Sequence, residues 1–104
     1  MVWSAASPPD EVLAVARGLA TEIVERAAPV SAALTRQMLW RMLGADHPME
    51  AHKIDSRGVF STGRMADARE GVVSFLEKRP PEWSLRPSED MPDWFPWWEE
   101  RHFG

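Results

Sequence analysis

Cysteine is absent from the 104 residues of this chain, which excludes disulfide bonds and thiol chemistry. Basic residues are also few, with 12 Lys and Arg against 16 Asp and Glu, and the net charge of -4 argues against nucleic acid as a partner. No apolar run approaches the ~20 residues of a membrane span, and the N-terminus lacks the basic and apolar regions of an export signal. We therefore expect a cytoplasmic protein that binds neither nucleic acid nor membrane.

The motifs of a self-sufficient active site are missing as well. The sequence has no Gly-rich phosphate loop, no Gly-x-Ser-x-Gly motif and no Cys/His pair. His47 and His52 are not spaced by the three or four residues that align two metal ligands on a helix, so we interpret them as ordinary surface residues. We interpret Glu70 as a helix-capping residue. We interpret the other notable carboxylates as solvated surface residues: Glu22, Glu25, Glu99 and Glu100. We expect no catalytic residue and no metal site.

Apolar residues at helical spacing predict an all-α fold of about four helices. The first helix has Ser7 as its N-cap and Pro8 at its first position, and Pro29 ends it. A second helix is predicted over Ser31–Leu43, with Gly44 just beyond its end. The short run over residues 1–6 matches either a strand remnant or a loose arm.

A third, weakly apolar helix is predicted from Met49 to about Ser61, opened by Asp46, His47 and Pro48. Gly58 interrupts it at a cost of ~1 kcal/mol relative to Ala. Such a helix needs another surface to bury against.

The fourth helix starts the stretch DAREGVVSFLEKRPPEW, residues 67–83. Asp67 and Glu70 have capping-box spacing, which predicts Asp67 as the N-cap. Lys78 and Arg79 come at the end of the helix, where cations interact favourably with the dipole, and Pro80–Pro81 prevent its continuation.

Residues 84–104 differ in composition from the helices. They are rich in proline and acidic residues and have no helical or strand period. They also carry Trp94, Phe95, Trp97, Trp98 and Phe103. Disordered tails are poor in aromatic residues, so we predict an extended Trp/Pro-rich tail that lies on the helices or on a partner subunit. The sequence thus divides into a helical domain, 1–83, and a tail, 84–104.

The 67–83 stretch resembles the C-terminal signature of the enoyl-CoA hydratase/isomerase (crotonase) superfamily. The carrying residues are the Asp-x-x-Glu-Gly segment, Phe75 and the Lys-Arg-Pro at 78–80. The segment from Ser7 to Pro29 is similar to the helix that follows the last core strand in this family. The resemblance covers roughly residues 1–83 and implies the C-terminal helical domain of an enzyme of fatty acid metabolism that acts on acyl-CoA.

The resemblance also implies what this chain lacks. Enzymes of the family polarise a thioester carbonyl with two backbone N–H groups, and the hydratases add two glutamates. These elements belong to an N-terminal core that lies upstream of the matched region. We therefore expect no cofactor and no catalysis by this chain alone, whereas a parent lyase or isomerase would take a CoA thioester as its substrate.

Four residues are assigned to CoA binding by the resemblance alone. Lys78 matches a lysine that reaches CoA phosphate groups, typically of a neighbouring subunit, and a helix-dipole role is the alternative. Phe75 matches a residue near the pantetheine and acyl region, although core packing is the favoured interpretation. Val59 stands where an aromatic residue often lines the adenine pocket, and Phe60 is adjacent to it.

The resemblance leaves two functions open. In the first, the chain supports oligomerisation and forms part of the acyl-CoA site of a larger protein. In the second, it is a stand-alone helical interaction module derived from such a domain. We also predict self-association to a dimer or trimer, because the weakly apolar helix 49–61 and the tryptophan-rich tail give a domain this small more exposed apolar surface than monomers usually tolerate.

Overall fold

Two prolines delay the start of the first helix. In the computed structural model, which describes residues 6–104, helix α1 spans Val12–Arg26 and has Glu11 as its N-cap. The prediction that Ser7 caps this helix and Pro8 begins it is wrong. Pro9 disfavours helical backbone at the preceding residue, and the chain forms a turn in which the Glu11 N–H donates to the Pro8 carbonyl at 2.9 Å. Residues 1–5, most of the unassigned N-terminal run, lie outside the described part of the chain.

The next proline begins a helix instead of ending one. Helix α2 spans Pro29–Arg41, with the proline near its start, where its missing N–H needs no intrahelical acceptor. A 3-10 turn over Met42–Gly44 follows it. The predicted range, 31–43, therefore lies two residues too far along the chain at both ends.

The third and fourth helices follow after short connections. Helix α3 spans Pro48–Gly63, and its N-cap is His47, whose Nδ1 accepts a hydrogen bond from the Met49 N–H at 3.0 Å. Helix α4 spans Ala66–Leu76. Residues 6–104 contain these four helices and no strand, and residues 84–104 form turns and extended backbone. The predicted all-α fold with an extended tail is confirmed.

Helix α2 provides the buried aliphatic side chains. It packs on α3, and α3 packs on α4. Among the described residues, Val30 and Leu34 form the aliphatic core, at 2% and 5% exposure. The radius of gyration is 16.7 Å, whereas a compact chain of this length has about 13 Å. The helices therefore form an open layer whose apolar surfaces are only partly used within the chain.

Candidate functional site at the end of helix α4

The chain leaves helix α4 through a left-handed residue. Lys78, two residues after the last helical position, has a φ of +53°. The Arg79 N–H donates to the Ser74 carbonyl at 3.0 Å, and the Lys78 N–H donates to the Phe75 carbonyl at 3.2 Å. These two hydrogen bonds make a Schellman motif, whose left-handed position glycine usually occupies. A lysine is therefore held in a backbone conformation that is unfavourable for a residue with a Cβ.

Glu70 ties helix α4 to the chain beyond Lys78. Its carboxylate accepts two hydrogen bonds from the Arg79 guanidinium, at 2.5 and 3.2 Å, and one from the Glu82 backbone N–H at 2.9 Å. Glu77 accepts a further hydrogen bond from the Arg79 Nε at 2.6 Å. The Arg79 side chain, followed by the Glu82 N–H, lowers the pKa of Glu70 to about 2, and the two glutamates raise the pKa of Arg79. We call Glu70, Arg79 and the Glu82 N–H the Glu70 brace.

Asp67 fixes the start of the tail in the same manner. This side chain is buried, at 4% exposure. Its Oδ1 accepts hydrogen bonds from the backbone N–H and the hydroxyl of Ser84, at 2.8 and 3.2 Å, and its Oδ2 accepts one from the Leu85 N–H at 3.2 Å. The prediction of a capping box is therefore wrong for both carboxylates. The N-cap is Met65, with no side-chain hydrogen bond, and the carboxylates hold the returning chain instead.

Trp83 joins this returning chain to helices α1 and α4. Its indole N–H donates to the Glu25 carbonyl near the end of α1, at 3.1 Å. Its ring lies against Gly71, where an added Cβ would meet the ring at 3.6 Å. The segment after α4 is thus anchored at several consecutive residues before the aromatic tail begins.

The aromatic tail contacts helices α2 and α3. The Trp94 indole N–H donates to the Ser61 hydroxyl at 2.9 Å. The Arg41 guanidinium lies 4.1 Å from the centre of the Trp98 ring and 3.1 Å from the Glu100 carboxylate. The Trp98 N–H, which donates to Glu100, and the charge of Arg41 lower the pKa of Glu100. Glu100 is exposed, as its interpretation as a solvated residue predicts, and it also joins this cluster. Edge contacts connect the rings of Phe95, Trp97 and Trp98, and a tilted contact joins Trp94 to Trp97.

The four residues assigned to CoA binding lie in two pairs, one within helix α3 and the other at the end of helix α4 and just beyond it. Val59 and Phe60 are neighbours in α3, where the Arg64 guanidinium lies 5.1 Å from the Phe60 ring. Val59 lines a cleft of about 230 Å³ beside the first turn of α4. Phe75 and Lys78 are at the opposite end of α4. Phe75 is 81% exposed, so the core packing favoured for it is wrong within this chain.

Comparison with known proteins supplies the family. The chain is 36% identical over 75 residues to the enoyl-CoA hydratase ACTT3 of Alternaria alternata, and 36% identical over 80 residues to the enoyl-CoA hydratase AKT3-2 of the same organism. Its fold matches a probable enoyl-CoA hydratase/isomerase from Mycobacterium abscessus with a TM-score of 0.73, at 31% identity. The chain belongs to the enoyl-CoA hydratase/isomerase (crotonase) superfamily. No protein-family model matches it.

The family match is partial in length. The two curated relatives match over 72% and 77% of this chain, but that region is only 25% of each relative. The match to the solved structure covers 77% of this chain and 32% of the other. The chain therefore spans about a quarter to a third of these relatives.

Within residues 6–104, no helix is long and apolar enough to cross a membrane. The same residues contain no cluster of three or more His, Cys, Asp or Glu side chains arranged to hold a metal ion. The cytoplasmic location stays a prediction.

Sequence reasoning found the crotonase motif but missed what its residues do. The roles of Asp67 and Glu70 depend on the chain folding back after Lys78, which no local pattern reveals. The sequence does contain a signal for the left-handed backbone of Lys78, because this residue occupies the position after a helix end where glycine is usual. The Lys-Arg-Pro segment was interpreted as a dipole-favouring helix end, but Arg79 lies past the left-handed residue and pairs back onto the helix.

Proposed function

We propose that this chain serves as the C-terminal helical part of an enoyl-CoA hydratase/isomerase-like protein, where it supports oligomerisation and forms part of the wall of the acyl-CoA site. Helix α1 carries this proposal. All of its 15 residues are exposed, although one broad face is apolar, with Val12, Val15, Leu19 and Ile23. Helices of this length gain most of their stability by packing such a face. An apolar surface outside the described chain would cover it.

Lys78 is the residue with which the chain would contact CoA. It is exposed and, within residues 6–104, forms no salt bridge. An ammonium group free of carboxylates suits the phosphate groups of CoA, since charge-assisted hydrogen bonds to anions are the stronger kind. The exposed ring of Phe75 lies in the preceding turn and would meet an apolar part of the ligand. Val59 and Phe60 belong to a separate surface, which would serve the adenine region of a CoA bound across subunits.

The surface of α1 is testable through self-association at micromolar concentration. Leu19→Asp puts a charge on the apolar face, whereas the matched variant Thr21→Asp puts the same charge on the other face of the helix. Light scattering should give a dimer or trimer for the wild type and for Thr21→Asp. Leu19→Asp should approach the monomer mass of 11.8 kDa. If both variants keep the mass of the wild type, the apolar face of α1 is not the contact surface.

A second candidate function is a stand-alone helical interaction module. The observation in its favour is the tail, which anchors itself to this chain's own helices through Trp94 and Trp98. Such a module would self-associate without any contact to CoA. NMR titration with CoA separates the two functions, because only the acyl-CoA function predicts shifts around Lys78 that Lys78→Ala abolishes.

A further inference from the structure

The direction of the Lys78 side chain depends on how firmly its left-handed backbone is held. At a φ of +53° the Cα–Cβ bond points differently from that of a helical residue. Return to a right-handed conformation would redirect the ammonium group and break the two hydrogen bonds of the Schellman motif. Because residues with a Cβ disfavour this region, contacts outside Lys78 must stabilise the turn.

The Glu70 brace supplies these contacts. Glu70 lies within helix α4, eight positions before Lys78, and its carboxylate binds the side chain of the residue that follows Lys78. The same carboxylate accepts the Glu82 N–H three residues further on. The carboxylate thus connects the rigid helix to the chain on the far side of the left-handed residue. Its side chain is only 21% exposed, so water competes for these hydrogen bonds less than at an open surface.

We propose that Glu70 is a positioning residue for Lys78, holding the turn so that the ammonium group is presented to an anionic phosphate of CoA. This inference rests on the proposed contact between Lys78 and CoA. The positioning role and simple electrostatics predict opposite effects of neutralising Glu70 on the affinity for CoA. Glu70 is a negative charge near the site, so its neutralisation should favour an anionic ligand by Coulomb's law. If Glu70 acts through the turn, its neutralisation should weaken binding instead.

The test compares Glu70→Gln with Glu82→Gln in the full chain, with free CoA as the probe and NMR chemical shifts as the readout of binding. Both substitutions remove one negative charge from the same region. Glu82 contributes its backbone N–H to the brace, and Glu82→Gln keeps that N–H. Glu70→Gln should weaken CoA binding by roughly two- to tenfold, the range expected when one long side chain must be ordered on binding. Glu82→Gln should leave binding unchanged or strengthen it.

A second measurement, made without ligand, tests the positioning role of Glu70 separately from the CoA contact of Lys78. In Glu70→Gln, the Arg79 N–H should exchange with solvent faster, and the Lys78 Cα shift should move away from its left-handed value. If neither changes, or if CoA binds Glu70→Gln as tightly as wild type, the positioning role is wrong. If Lys78→Ala binds CoA like the wild type, the proposed CoA contact is wrong. Should Glu70→Gln lose helicity by circular dichroism, Glu70→Asp replaces it, which keeps the charge but shortens the reach to Arg79. Coulomb's law then predicts no change in CoA binding, so weaker binding would support the positioning role and unchanged binding would contradict it.

Discussion

Helices α4 and α1 differ in which of their side chains find partners within the described chain. Around α4, charged groups are satisfied within the chain: Asp67 accepts three hydrogen bonds and Glu70 also accepts three. Helix α1 has a broad apolar face and no buried residue. Unpaired buried charge is costly, while an exposed apolar face is tolerated until another surface covers it. The carboxylates around α4 therefore have their partners within the chain, whereas the apolar face of α1, like Val72, Phe75 and Leu76 of α4, is left uncovered by the described residues.

The largest test of this contrast removes the buried carboxylate. Asp67→Ala leaves the Ser84 and Leu85 N–H groups without their acceptor and should lower the free energy of unfolding by about 2–4 kcal/mol. Urea unfolding followed by circular dichroism measures the loss. Asp67→Asn, which keeps one acceptor oxygen, should cost less than the alanine variant. Equal stability of Asp67→Ala and the wild type would show that the carboxylate does not anchor the tail.

The next largest effect concerns the aromatic tail. Trp98→Ala removes the ring that contacts Arg41, Phe95 and Trp97. The ring is half-buried, so the cost should be about 2 kcal/mol, below that of a fully buried tryptophan. Phe103→Ala is the matched control, because Phe103 is fully exposed, and it should not change the melting temperature. If the two variants have the same melting temperature, or if truncation after Trp83 leaves the melting temperature unchanged, the tail contributes no stability.

The sequence predicts those features of the fold that neighbouring residues determine, and it does not predict those that depend on residues far along the chain. Helix periodicity is local, and it gave four helices with boundaries shifted by a few residues where consecutive prolines alter the start. The crotonase motif is also local, and it gave the family. The roles of Asp67 and Glu70 are set by residues up to 18 positions away, and a capping box was the only local interpretation of their spacing. The exposure of Phe75 could not be predicted for the same reason, since apolar character does not show whether a residue is buried by its own chain or by another surface.

A smaller effect follows from the pKa of Glu70. The folded value is about 2, below the ordinary 4.5, so the unfolded state binds more protons between these values. The contribution of Glu70 is therefore complete above about pH 4.5 and is lost as the pH falls towards 2. The melting temperature of Glu70→Gln should lie below that of the wild type at about pH 6, and the gap should close in acid. A gap that stays constant down to pH 2 would mean that the carboxylate charge is not the stabilising feature.

The smallest effect has the opposite sign. Lys78→Gly removes the Cβ from the left-handed position and should raise the free energy of unfolding by about 0.5–1 kcal/mol. Lys78→Ala keeps the Cβ, so its stability should match that of the wild type. Urea midpoints of the three proteins test this order, and a glycine variant no more stable than the alanine variant would mean that the turn is not strained. Both variants should lose the CoA contact equally, because each lacks the ammonium group. A position where glycine stabilises the fold but lysine supports binding would be the expected signature of a residue retained for its charge.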